Sequence, residues 1–147
     1  MKRNAGSSKR TSVQTKQSGV QRSSPQGYTV LIVEDSLVVG KFLSIAFNNA
    51  GFKVKTAVDG YEALEKAIKD DIGLIVTDLN MPEMDGVTLL KSLKENQLTK
   101  NIPVILMSSN IPSENEISKS YAFLQKPFNE EKIISIAKKA IEEVYGH

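Results

Sequence analysis

The 147-residue chain predicts an α/β fold, a doubly wound five-stranded parallel sheet, on three observations. Short apolar runs alternate five times with longer amphipathic segments, the pattern of successive βα units. Several runs are apolar at consecutive positions, as strands covered by helices on both faces are. The joints between run and helix are tight.

Taken in order, the first strand is Tyr28–Val33, and a helix follows over about Ser36–Asn49 with apolar Leu37, Phe42, Leu43, Ile45 and Ala46. Gly51 supplies a left-handed stop. After the second strand, Lys53–Ala57, Asp59 caps a helix carrying Ala63, Leu64, Ala67 and Ile68 at helical spacing. The third strand is Leu74–Thr77 and its helix covers Val87–Glu95. The fourth strand, Val104–Met107, leads into a short, weakly apolar helix over about Ser113–Ser120. Ala122–Gln125 is the fifth strand. The last helix begins at Asn129, with Glu130 and Glu131 in its first turn and Lys138 and Lys139 later, which complements the helix dipole. Only Gly146 and His147 follow, so a single domain without a folded output module is expected.

Composition removes several function classes. No cysteine is present, which excludes a disulfide framework, thiolate metal sites and cysteine nucleophiles. The one histidine, His147, ends the chain, so a histidine zinc site or a Ser-His-Asp triad is not expected. The longest apolar run, Ile102 to Met107, cannot span a bilayer, and no secretory signal is visible. A soluble, cytoplasmic protein with no membrane partner is the expectation. Net charge +2 conceals an asymmetry: Lys2, Arg3, Lys9, Arg10, Lys16 and Arg22 lie in residues 1–27 with no acid. From Tyr28 onward 13 basic residues face 17 acidic ones, a net of −4. Residues 1–27 read as a disordered basic tail, too poor in apolar residues to offset the entropy of ordering. Residues 28–147 read as the folded domain.

The chemistry lies where strands end. Glu34 and Asp35 follow the first strand, Asp78 the third and Lys126 the fifth, while Ser108 closes the fourth. In an open parallel sheet these carboxyl ends share one edge, where ligands bind. Like charges about 5 Å apart at an effective dielectric of about 20 repel by roughly 3 kcal/mol, and one lysine offsets only part of three carboxylates. A divalent cation resolves that repulsion. All-oxygen ligands favour Mg²⁺ or Mn²⁺ over zinc. A carboxylate beside a metal and a lysine is suited to in-line attack on a phosphoryl group, with Asp78 as nucleophile. Each feature alone reads more readily as a cap, turn or helix entry; their shared edge is what points to function.

Residues Val30–Ser36 (VLIVEDS), Val76–Gly86 (VTDLNMPEMDG), Pro103–Ser108 (PVILMS) and Phe123–Phe128 (FLQKPF) resemble the receiver domain of two-component response regulators. The likeness covers residues 28–147. It implies a flavodoxin-like sheet of order 2-1-3-4-5 and a phosphoacceptor role for Asp78. By the same resemblance Glu34, Asp35, Asp78 and the backbone carbonyl of Asn80 hold Mg²⁺. Lys126 then binds the phosphoryl group, Ser108 hydrogen-bonds it and swings inward, and Phe123 is the switch aromatic. A cis Lys126–Pro127 bond is implied, and Met81–Pro82, Gly86 and Gly60 have structural roles. Two departures stand out. The interval from Ser108 to Lys126 is a few residues short, which implies a truncated or irregular fourth helix, and the basic tail has no family counterpart.

The resemblance implies a stand-alone response regulator phosphorylated by a sensor histidine kinase or phosphotransfer protein, acting on an unidentified protein target or in a relay. The alternative is a pseudo-receiver that binds partners without turning over phosphate; the intact constellation opposes it. An aspartate-nucleophile phosphatase needs a general acid two residues past the nucleophile, where Asn80 stands. An FMN carrier would set its phosphate against Glu34 and Asp35. Nucleic acid is not an expected partner of a net acidic core without an added helix-turn-helix.

Overall fold

The computed structural model describes residues 27–146, so all but the last residue of the expected basic tail lies outside the described part, as does His147. Five strands and five helices alternate: β1 (Thr29–Val33), α1 (Leu37–Asn49), β2 (Lys53–Ala57), α2 (Gly60–Lys69), β3 (Leu74–Asp78), α3 (Gly86–Glu95), β4 (Val104–Ser108), α4 (Glu114–Ile117), β5 (Ala122–Gln125) and α5 (Glu130–Tyr145). The strands form one parallel sheet in the order β2-β1-β3-β4-β5. The flavodoxin-like topology implied by the resemblance is the one observed. Among the described residues no helix is long and apolar enough to cross a membrane.

Alternation along the buried strands divides the core into two layers. Leu31, Val33, Ile75 and Leu106 meet Ala63 and Ala67 of α2 and Leu89 and Leu93 of α3. Val30, Ile32, Val76, Ile105 and Met107 face the other way, onto Leu43 and Phe47 of α1 and Ile133, Ala137 and Ile141 of α5. The run of consecutive apolar residues in each central strand is thus two faces read in one line.

Every helix starts from a short polar cap. Ser36, Asp59, Asp85, Ser113 and Asn129 each accept the N–H three residues on, worth about 1 kcal/mol apiece. After α1, Gly51 has φ 94°, the left-handed stop its position predicts.

Three sequence expectations change. Asp78 is the last residue of β3 rather than the first beyond it, because the ladder continues through Asp78 opposite Met107, while Ser108 closes β4 opposite Gln125 as expected. The apolar residues of α1 divide: Leu43, Ala46 and Phe47 are buried, while Leu37 is 81% and Val38 80% exposed, and Phe42 and Ile45 lie on the exposed side. The fourth helix is four residues long, not the eight of Ser113–Ser120. The hydroxyls of Ser118 and Ser120 turn back to the carbonyls of Asn115 and Ile117, and such local bonds compete with helix continuation.

Candidate functional site

β1, β3, β4 and β5 end at one sheet edge, which gathers Glu34 and Asp35 just past β1, Asp78 and Ser108 at the ends of β3 and β4, and Lys126 just past β5. Carboxylate oxygens of Glu34, Asp35 and Asp78 all lie within 4.8 Å of one another, with Glu34 and Asp78 buried and Asp35 exposed. Glu34 is fixed at both ends of its residue: its backbone N–H donates to Ala57, and its Oε2 accepts the N–H of Ser36 at 3.1 Å. The start of α1 is thereby tied to the acidic pair.

Lys126 reaches in from the loop after β5, where the Lys126–Pro127 bond is cis, as the resemblance implies. Its backbone N–H donates to the Ser108 carbonyl at 2.8 Å. Its ammonium donates to Asp78 Oδ2 at 2.8 Å and to Glu34 Oε1 at 3.4 Å. Burial pulls its pKa down, but the hydrogen bond and charge of Asp78, then those of Glu34, outweigh that and hold it above the ordinary lysine value. Glu34 moves the other way from an ordinary carboxylate. Burial pushes its pKa up, the Ser36 N–H draws it back, the Asp78 charge raises it again and Lys126 offsets part of this, leaving it raised.

Asp78 has its second oxygen engaged as well, since Oδ1 accepts the N–H of Asn80 at 3.1 Å. Gly86 packs directly behind it. A Cβ there would come within 2.6 Å of the Asp78 carbonyl and 2.8 Å of Leu79 Cα, so only glycine lets α3 start this close to the Asp78 backbone. Ser108 is buried beside the acidic site, and its hydroxyl accepts two donors: Asn80 Nδ2 at 3.0 Å and the Asn110 N–H at 3.1 Å. Phe123 lies partly buried against the α2–α3 layer of the core.

The structure therefore brings Glu34, Asp35, Asp78, Asn80, Ser108 and Lys126 together, and places Phe123 on β5. Sequence reading missed one member and the side-chain contact of another. Asn80 was singled out for its carbonyl, whereas its side chain reaches across to β4. Asn110 was not singled out; a serine two residues before it at a strand end is the signature of the hydroxyl-closed turn found there. One cation among three carboxylates leaves net negative charge in a pocket of hard oxygen donors. These residues fit Mg²⁺ or another hard divalent ion.

A doubly wound sheet with three carboxylates at one edge defines a class of α/β protein with a hard-cation pocket, and comparison gives the family. Residues 30–138 match the model of the response regulator receiver domain; the chain belongs to that family. It is 32% identical over 118 residues to "Probable transcriptional regulator ycf29" of Porphyra purpurea, covering 78% of this chain but only 56% of that protein. Identity to chemotaxis protein CheY of Treponema pallidum is 32% over 115 residues, 73% of this chain and 78% of that one. The crystal structure of Vibrio cholerae chemotaxis protein CheY4 superposes with a TM-score of 0.71 at 32% identity, over 80% of this chain and 98% of that one. Receiver domains are signalling phosphoacceptors with an acidic metal pocket rather than enzymes acting on separate substrates.

Proposed function

We propose that Asp78 takes a phosphoryl group from the phosphohistidine of a sensor histidine kinase or phosphotransfer protein in the cytoplasm. The domain then signals by phosphorylation-dependent protein binding or passes the phosphate onward. The observation that carries this reading is the Asp78 carboxylate held by Lys126 at 2.8 Å inside a cluster of three carboxylates.

Each residue has a task. An Asp78 oxygen forms the new bond to phosphorus as the donor's P–N bond breaks, and the imidazole leaves with the electron pair. Lys126, fully protonated at neutral pH, neutralises phosphoryl oxygens. Ser108 donates its hydroxyl proton to one of them, since both donors now bonded to Oγ leave that proton unused. Glu34, Asp35, Asp78 and the Asn80 carbonyl would hold Mg²⁺ or Mn²⁺, which supplies charge neutralisation at the transferring group. Leu37 and Val38, exposed just past the acidic pair and the Ser36 cap, give an arriving protein donor apolar surface beside the nucleophile.

The test is incubation with Mg²⁺ and acetyl phosphate followed by intact-mass analysis. One base-labile phosphate is expected on the wild type, none on Asp78→Asn, and none on the wild type in EDTA. Undiminished labelling of Asp78→Asn overturns the assignment; no labelling of the wild type by any donor favours the pseudo-receiver reading.

A further inference from the structure

We infer that residues 20–26 of this chain seat as a strap along a groove between α1 and α5, with Arg22 on Glu130 and Glu131. The groove, about 710 Å³ in volume, runs from Asn49 and Ala50 at the foot of α1 to Glu130 and Glu131 in the first turn of α5. Ala50 and Ile134 give it apolar surface, and Lys138 is the one basic residue along it among those described. The chain leaves the fold at the groove's foot. Tyr28 packs in the same core layer as Ala50 and Ile134, and stacks on Tyr145. Its carbonyl accepts the N–H of Lys53, three residues past Ala50.

Length sets the register. Glu131 lies about 21 Å from Tyr145 along α5, at about 1.5 Å per residue. An extended chain covers that in about six or seven residues, which puts Arg22 opposite the two carboxylates. Lys138, about 10 Å from Tyr145, then faces the uncharged Ser24 and Pro25. Charge agrees with this register. The segment before Tyr28 holds cations and no acid, and neither Glu130 nor Glu131 has an ion-pair partner among the described residues. Acids nearer the chain exit are engaged: Asp70 by Lys55, Glu143 by the Tyr121 hydroxyl, and Asp71 in a contact of its own. A short tether raises the segment's effective concentration at its own groove, so weak exposed ion pairs suffice to seat it, and salt releases it. The groove's head, at Asn129, is three residues past Lys126, so a seated segment also carries the five cations before Arg22 toward the edge that holds the acidic site.

The chain has no cysteine, so a nitroxide on Ser18→Cys reports on this segment alone. In the full ¹⁵N-labelled chain at low salt, the amide signals of Asn129, Glu130 and Glu131 should broaden more than those of Asp70 and Glu143 beside the exit. They should recover at about 1 M salt, where charges more than about 3 Å apart are screened. Arg22→Gln, which alters no described contact, should abolish the preference for the groove's head, and so should Glu130→Gln with Glu131→Gln. Broadening that is strongest beside the exit, or a preference unchanged in Arg22→Gln, overturns the strap. Equally strong broadening of a ¹⁵N-labelled chain by added unlabelled, nitroxide-bearing chain assigns the groove to a second copy and overturns it as well.

Discussion

Lys126 is the one cation within hydrogen-bond reach of the described acidic cluster, and it bonds the two buried carboxylates, Glu34 and Asp78. Asp35 is left to solvent at the edge. Replacing it by asparagine removes repulsion against both neighbours, a gain that solvent screening limits to about 0.5–1 kcal/mol. In EDTA, Asp35→Asn should therefore unfold at higher urea than wild type. Adding Mg²⁺ should raise the wild-type midpoint by linkage and leave the variant's nearly in place. Equal Mg²⁺ shifts in the two proteins would remove Asp35 from the ligand set. A second residue-scale cost lies in the loop behind the site, where exposed Glu83 has φ 71°. A left-handed backbone costs a side-chain-bearing residue about 1 kcal/mol, and more when the chain branches at Cβ. Glu83→Gly should match or exceed wild-type stability and Glu83→Val should fall about 1–2 kcal/mol below Glu83→Gly, read by the same denaturation curves. Charged residue types at strand ends made Glu34, Asp35, Asp78 and Lys126 legible in the sequence. The Glu83 dihedral was not, because a turn's sign depends on how β3 and α3 are already placed.

At the scale of elements, α1 and α4 are where sequence and structure part. The sequence spaced Leu37, Phe42 and Ile45 helically, which fixes the helix but not the side that meets the sheet; Phe47 and Leu43 settle that by filling the space over β1 and β3. The residues left outside begin at the acidic pair. Leu37→Glu should thus slow transfer from a phosphohistidine protein at least tenfold more than transfer from acetyl phosphate, in parallel time courses. A common factor for both donors would mean damage to the site rather than loss of a docking contact. The α4 tetrad Glu114–Ile117 has no buried residue, and its capping box at Ser113 is its main local support. Among the helices it should respond most to events at Ser108. Beryllium fluoride is expected to change hydrogen exchange chiefly across residues 108–128, which include partly buried Phe123, and Ser108→Ala should bind the mimic yet pass on less of that change. Exchange altered only around Asp78 would break this link between site and output face. The shortness of α4 was legible in the brief Ser108–Lys126 interval. Its exact stop was not, because it depends on which way two serine hydroxyls turn.

For the molecule as a whole, sequence and structure meet at the first strand. Six cations lie before Gly27 and a net of −4 after it, so the chain is a dipole of sequence even where net charge is small. The described fold is anchored at that junction by its two ends. Tyr28 stacks on Tyr145 of α5 with ring centroids 4.7 Å apart, and the Tyr145 hydroxyl donates to the Gly73 carbonyl at 2.8 Å, closing α5 onto the start of β3. That clasp was not legible in the sequence, since no local pattern pairs two tyrosines 117 positions apart. It divides the consequences of shortening the chain. Removing residues 1–26 takes away charge and polar residues with no apolar periodicity, and should leave the thermal midpoint and acetyl phosphate labelling near those of the full chain. Tyr28→Ala in the shortened chain deletes the stack and the cover over the β1–β3 edge, and should lose about 2 kcal/mol. If the shorter chain alone loses that much, residues 1–26 pack on the fold. If neither change matters, the ring stack is surface contact without weight. The basic segment should be felt instead by partners: its removal should weaken binding to an acidic protein surface at low salt and make little difference at 1 M, where charges are screened beyond about 3 Å. A salt-independent effect of the same size would mean that residues 1–26 bind by shape and apolar contact rather than by charge.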